Sequence, residues 1–149
     1  MVNADLDLVR RLVAADHGLA VVAVTRRDGT VHASVVNGGV VDDPISGRPA
    51  VGLVVAGSTV KLRVLRRTRR ATIVFRAGWE WVAVEGPVSL YGPDDLPDGF
   101  GAERVSPLLR AVFTAAGGTH DDWDEYDRVM AAERRTAVLI EPERMTSNG

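Results

Sequence analysis

The chain has 149 residues, of which 46% are hydrophobic and 26% charged, values that are ordinary for a globular protein with room for a core. A formal net charge of −2 argues against a general nucleic-acid or membrane-surface binder, and the absence of cysteine excludes disulfides, thiolate metal sites and a cysteine nucleophile. No apolar run is long enough to span a bilayer, and the N-terminus carries acids rather than the basic segment of a secretory signal. We therefore expect one cytoplasmic domain over residues 1–149 that binds neither nucleic acid nor a membrane.

The first residues predict a helix. Asn3 or Asp5 is placed to cap it, apolar residues recur at helical spacing behind the cap, and Gly18 follows its end.

Three strands are predicted next. Residues 19–25 and 30–41 are strongly β-forming, and the Asp28-Gly29 pair between them is typical of a hairpin turn. The Gly38-Gly39 pair late in the second strand suggests a bulge or a close backbone approach. Residues 50–56 then read as a continuous apolar strand.

The second half predicts further strands and helices. In chain order they are a short helix at 59–67, strands at 71–76 and 79–91, helices at 104–115 and from 120 onward, and a final strand at 136–140. On the short helix, Val60, Val64 and Leu65 are predicted to face inward. This order indicates a mainly β fold of the α+β class, with a small closed sheet and peripheral helices.

Several common site motifs are absent from the sequence. There is no G-x-G-x-x-G, no P-loop and no G-x-S-x-G elbow, and the three histidines His17, His32 and His120 lack zinc-ligand spacing. We therefore predict no metal site, and the sequence identifies no catalytic residue.

Lys61 is the only lysine among 18 basic residues, and it follows a corner where an apolar strand turns into a helix. The free N–H groups at the start of that helix, the hydroxyls of Ser58 and Thr59, and the Lys61 ammonium together suit a phosphate. The alternative is ordinary helix capping by Ser58 or Thr59.

Five segments, in this order and spacing, carry a family resemblance: 19–24 with 27–29, Ser34 on the second strand, 61–67, 78–86 and 120–126. The chain resembles the flavin and deazaflavin oxidoreductases of the split β-barrel fold, the pyridoxamine 5′-phosphate oxidase-like superfamily. More narrowly, it is similar to the actinobacterial members that use coenzyme F420. The resemblance implies an FMN-binding-like split barrel and a homodimer with two cofactor sites in the subunit interface.

The resemblance also implies which residues contact the cofactor. The ring would lie near His32, Ser34 and Asn37, and would meet main-chain groups of Val55 and Ala56. The phosphate would bind Ser58, Thr59 and Lys61. Trp79 and Trp81 would approach the cofactor from the sheet, either within one subunit or across the dimer. The alternative is that they pack in the core.

Two features bear on which cofactor binds. Val60 stands where FMN-binding relatives often carry arginine, and the loss of one cation favours the singly charged phosphodiester of F420 over the near-dianion of FMN. Arginines 63, 66, 67, 69 and 70 form a basic surface suited to the anionic tail of F420, with Arg66 and Arg67 as candidate contacts. The alternative is a solvated helix face.

The resemblance thus implies an F420-dependent oxidoreductase that transfers a hydride to an electron-poor small molecule. One alternative is an FMN-dependent oxidoreductase of the same fold. Another is a non-catalytic protein that binds F420 or haem, for which only His32 lies near the proposed pocket as an axial ligand.

Overall fold

The computed structural model describes residues 4–148, which form seven strands and four α-helices. The helices are α1 (Leu6–Ala15), α2 (Val60–Thr68), α3 (Val105–Ala115) and α4 (Trp123–Ala132), with a 3-10 turn (Ala102–Arg104) before α3. The strands are β1 (Leu19–Thr25), β2 (Val31–Asp42), β3 (Pro49–Val55), β4 (Arg70–Ala77), β5 (Glu80–Tyr91), β6 (Thr136–Ile140) and β7 (Arg144–Ser147).

Six strands close into an antiparallel barrel. They pair in the order β4-β1-β2-β3-β6-β5, and β5 pairs with β4 again to complete the circle. The long strand β5 allows this closure because its residues 80–87 pair with β4 and its residues 88–91 pair with β6. The expected mainly β fold, a split barrel with peripheral helices, is confirmed.

The barrel interior is filled by alternate residues of the strands. Val22, Ile73, Phe75 and Val84 are fully buried, as the period of two in an extended strand requires. Burying one such side chain contributes about 1.5–3 kcal/mol. Helix α1 packs against this interior, and its cap is Asp5, whose carboxylate accepts a hydrogen bond from the Leu8 N–H at 2.9 Å.

Helices α3 and α4 form a second apolar cluster with β3 and β6. Leu109, Val112, Tyr126 and Leu139 are buried in it. The close approach predicted near residue 38 is confirmed, since a β-carbon on Gly39 would collide with the backbone at Ala115 at the end of α3. This glycine therefore lets α3 lie directly against β2.

Two details of the sequence prediction are wrong and one is outside the described residues. Val60 is 43% exposed because it is the first residue of α2, and Leu62 is buried in its place. The strand at 136–140 is not the last, since β7 follows it and pairs with β5. Asn3, the other predicted cap, lies outside the described residues. None of the helices formed by residues 4–148 is long and apolar enough to cross a membrane.

Candidate functional site

The corner between β3 and α2 is held by hydrogen bonds on both sides. The Gly57 N–H donates to the carbonyl oxygen of Glu133 at 3.0 Å. The Thr59 hydroxyl donates to the Ala56 carbonyl at 2.9 Å and accepts from the Leu62 N–H at 3.3 Å. The capping alternative is therefore confirmed for the Thr59 side chain. It leaves the first two N–H groups of α2 without an acceptor inside the helix, as helix geometry requires.

Lys61 projects from this corner across to β2. Its Nζ donates to Oγ of Ser34 at 2.8 Å, in a half-buried position. Burial lowers the pKa of Lys61, and the nearby positive charge of Arg135 lowers it further. The sole lysine is thus fixed in place and is partly stripped of water, the state in which an ammonium gains most from an anionic partner.

A cleft of about 490 Å³ opens beside Lys61. Residues in the middle of β2 and at the end of β3 form its floor, and α3 and α4 form its opposite wall. Its lining residues are Val35, Val36, Asn37, Val54, Val55, Ala56, Thr59, Lys61, Val112, Phe113, Ala116, Tyr126, Met130 and Arg135. The cleft is charged where α2 begins and apolar along the helical wall.

The apolar wall is built from aromatic rings in mutual contact. The ring centroids of Phe113 and Tyr126 are 5.0 Å apart, and those of Trp123 and Tyr126 are 5.3 Å apart. The Tyr126 hydroxyl donates to the Leu109 carbonyl at 3.2 Å, and burial raises the pKa of Tyr126. Because its hydroxyl is hydrogen-bonded to Leu109, Tyr126 contributes an aromatic ring to the cleft rather than a proton donor. Such a wall suits a flat, apolar, conjugated ligand.

Arg135 is a lining residue that the sequence did not indicate. It lies at the turn from α4 into β6, and Thr136 directly after it pairs with Val55 at the end of β3. The structure thus brings a second cation to the cleft from a segment 74 positions beyond Lys61 in the numbering of the chain. The sequence analysis assumed that the site lacks one cation because Val60 replaces an arginine. Arg135 supplies a cation to the cleft from another part of the chain.

The structure brings together half of the predicted cofactor residues. Asn37, Val55, Ala56, Thr59 and Lys61 line the cleft, and Ser34 is bound to Lys61. The side-chain amide of Asn37 donates to the His17 carbonyl at 2.8 Å, which holds Asn37 at the rim of the cleft.

Two predicted residues lie close by but do not line the cleft. Ser58 is exposed on the corner itself. His32 lies on β2, two residues before Ser34, and its buried Nδ1 has no hydrogen-bond partner among residues 4–148. A polar atom of this kind is costly to bury without a partner.

The two candidate arginines differ from each other. The Arg66 guanidinium is paired with both carboxylate oxygens of Asp95, at 2.8 to 3.1 Å, and only 9% of the Asp95 side chain is exposed. Arg67 is exposed and donates to the Thr25 carbonyl at 3.3 Å. Arg66 therefore stabilises the loop after β5, whereas most donors of Arg67 have no partner within the described part of the chain.

The two tryptophans lie at and beside the turn between β4 and β5. Trp79 is 93% exposed, so the core-packing alternative is wrong for it. Trp81 is half-buried, and its backbone N–H donates to the Asn148 side chain at 3.1 Å. Neither lines the cleft of its own chain.

The fold is a split β-barrel that the chain shares with solved structures of low sequence identity. No protein-family model matches the chain. A pyridoxamine 5′-phosphate oxidase-related, FMN-binding protein from Nostoc punctiforme is similar with a TM-score of 0.64 at 11% identity, over 95% of this chain and 79% of that one. An F420 reductase is similar with a TM-score of 0.60 at 12% identity, over 98% of each chain.

A haem-binding protein from Mycobacterium smegmatis has the same shape, with a TM-score of 0.57 at 18% identity. The match covers 99% of this chain but 59% of that one. At these identities the comparisons show the fold alone, which an FMN-binding protein, an F420 reductase and a haem-binding protein share.

Proposed function

We propose that the protein is an F420-dependent oxidoreductase that reduces an electron-poor small molecule in the cytosol. The observation that carries the proposal is the position of Lys61, a half-buried ammonium at the start of α2 beside a cleft with an aromatic wall. The family resemblance of the sequence and the similarity to an F420 reductase of almost equal extent support the choice of cofactor.

The residues of the cleft fit a flavin-like group. The unpaired N–H groups at the start of α2 and the Lys61 ammonium would hold its phosphate. The floor at Val36 and Val55 would carry the ring, opposite Phe113 and Met130. When bound, the reduced deazaflavin would supply a hydride to the acceptor.

The chain's own residues would orient the ligands and exclude water. Ser34 accepts from Lys61 and therefore directs the ammonium toward the cleft. Because it accepts, Ser34 keeps its own hydroxyl proton available, so Ser34 or water is the candidate source of the proton that completes reduction. No side chain is required as a nucleophile.

A homodimer is part of the proposal. The outer face of β1 and β2 exposes Leu19, Val21, Val31 and Val35, which are 40–68% accessible. Val21 and Val35 are directly opposite each other in the sheet, so the apolar side chains are contiguous. Val35 also lines the cleft, so a partner on this face would border the site.

FMN is the second candidate, and Arg135 is compatible with it. Two cations on one cleft suit the dianion of a phosphomonoester as well as a phosphodiester. Haem has less support because His32, the histidine expected to act as an axial ligand, does not line the cleft.

Titration of the purified protein with F420, FMN and haem tests the proposal. We expect micromolar or tighter binding of F420, seen as a change in deazaflavin fluorescence, together with oxidation of reduced F420 by members of a panel of quinones and unsaturated lactones. A preference for FMN would transfer the proposal to the second candidate. Binding of F420 without turnover across the panel would indicate a carrier.

A further inference from the structure

The neighbourhood of Lys61 contains a second cation whose position is fixed by the fold. Arg134 adopts a left-handed conformation, with φ of 50°, where α4 ends. The Arg135 N–H donates to the Met130 carbonyl at 2.9 Å, and strand pairing begins at the next residue. The backbone that carries Arg135 is therefore held between α4 and the end of β3.

The Arg135 side chain has no strong partner among residues 4–148. Its guanidinium contacts the Glu133 carboxylate, two residues away, at 3.1 to 3.4 Å, and both side chains are partly exposed. These distances exceed those of a good charge-assisted hydrogen bond. By contrast, the guanidinium of Arg66 forms a bidentate pair with Asp95.

Among the described residues that line the cleft, the charged ones are Lys61 and Arg135, and both are positive. Burial lowers the pKa of Lys61, and repulsion by the like charge of Arg135 across this partly buried space lowers it further. A ligand with negative charge would remove this repulsion and would also replace the weak contact between Arg135 and Glu133.

We propose that Arg135 is the second anion-binding arm of the cleft and that the ligand carries two negative charges between Lys61 and Arg135. This inference rests on the proposed function and deepens it. The two charges have two possible sources: a phosphomonoester dianion, as in FMN, or a phosphodiester followed by a nearby carboxylate, as in F420 with its anionic tail. Glu133 acts as the internal competitor that occupies Arg135 when no ligand is bound.

The test is a set of dissociation constants for wild type, Arg135→Gln, Glu133→Gln and the control Arg134→Gln. Arg134 is the adjacent arginine, paired with Asp94 and absent from the cleft lining. The ligands are F420 with its tail and FMN, each compared with a counterpart that lacks the phosphate, namely the precursor deazaflavin and riboflavin. All variants are first checked by circular dichroism and thermal unfolding.

We expect Arg135→Gln to weaken binding of the phosphorylated ligand by about tenfold or more, because one charge-assisted contact is lost. The affinity for the phosphate-free counterpart should be unchanged. Glu133→Gln should bind the same ligand more tightly than wild type. If Arg135 only supported the fold, both substitutions would weaken all ligands alike, or Arg135→Gln would match Arg134→Gln. Either result would overturn the inference.

The two sources of charge are separated by the same data. A larger effect of Arg135→Gln on F420 than on FMN places the second charge on the tail, and the reverse places it on the phosphate. If wild type binds none of the ligands, the proposed function itself is wrong and the inference falls with it. Loss of binding confined to the Arg135 variant leaves the proposed function standing.

Discussion

The ammonium nitrogen of Lys61 lies 2.8 Å from the hydroxyl oxygen of Ser34, although the two residues are 27 positions apart in the chain. This hydrogen bond joins the start of α2 to the middle of β2 and so fixes the direction of a side chain that is otherwise flexible. Its effect is that the only lysine of the chain is already oriented toward the cleft before any ligand arrives.

Replacing Lys61 by glutamine should weaken F420 binding by at least about tenfold, because one charge-assisted contact to the phosphate is lost. Ser34→Ala should weaken F420 binding less, by about two- to threefold, since the ammonium remains but is less well oriented. Fluorescence titration measures both. Equal affinities in wild type and Lys61→Gln would put the phosphate somewhere else.

The same lysine predicts the pH dependence of binding. Its pKa is lowered by burial, and a bound anion favours its protonated form. Affinity should therefore be constant below this lowered pKa and should fall as the pH rises through it, at a lower pH than an ordinary lysine would give. Lys61→Arg should flatten this profile, because arginine stays charged. A profile that is unchanged in the arginine variant would exclude Lys61 as the titrating group.

The lowered pKa also has a consequence for the stability of the empty protein. The unfolded chain holds the Lys61 proton more tightly than the folded one, so stability should rise with pH between the folded and the unfolded pKa values. Removing the charge with Lys61→Met should therefore raise the melting temperature at neutral pH. Thermal unfolding without ligand is the measurement, and a fall of several degrees would contradict the expectation.

Arg66 and Arg67 should respond differently to substitution. Arg66→Gln breaks the pair with a largely buried carboxylate and should cost about 1–3 kcal/mol of stability with little change in cofactor affinity. Arg67→Gln should leave stability nearly unchanged and should weaken long-tailed F420 more than its tail-free precursor. If both forms of the coenzyme lose affinity equally, the basic surface does not bind the tail.

The exposed valines of β1 and β2 predict the effect of charge on assembly. Val21→Glu combined with Val31→Glu places two carboxylates on the proposed interface and should convert the dimer to a monomer in sedimentation experiments. Val129→Glu is the matched control, since Val129 is 43% exposed and lies on α4 rather than on β1 or β2. If the wild-type protein sediments as a monomer, the proposed homodimer is wrong.

Much of the fold could be predicted from the sequence because its signals are local. The Asp28-Gly29 turn, the Asp5 cap and the alternating strands each depend on a few neighbouring residues, and all of them appear in the structure. Strand β7 was missed because residues 144–147 are short and polar, and their pairing with β5 depends on contacts distant in sequence. Val60 was placed wrongly because helical periodicity does not describe the first turn of a short helix.

The candidate site was predicted less completely for a related reason. Lys61 and Thr59 stand next to each other in the sequence, so their common corner was visible there. Arg135 and Met130 reach the cleft only through the pairing of β6 with β3 and the packing of α4, neither of which leaves a local sequence signal. The sequence likewise gave no indication that Arg66 is paired with Asp95, 29 positions away.

A crystal structure of the protein with F420 tests the central claim most directly. We expect the coenzyme phosphate within about 3 Å of Nζ of Lys61, with the ring over the middle of β2 and the end of β3 and a second anionic group beside Arg135. A coenzyme bound with its phosphate away from α2, or a cleft that stays empty at saturating F420, would contradict it.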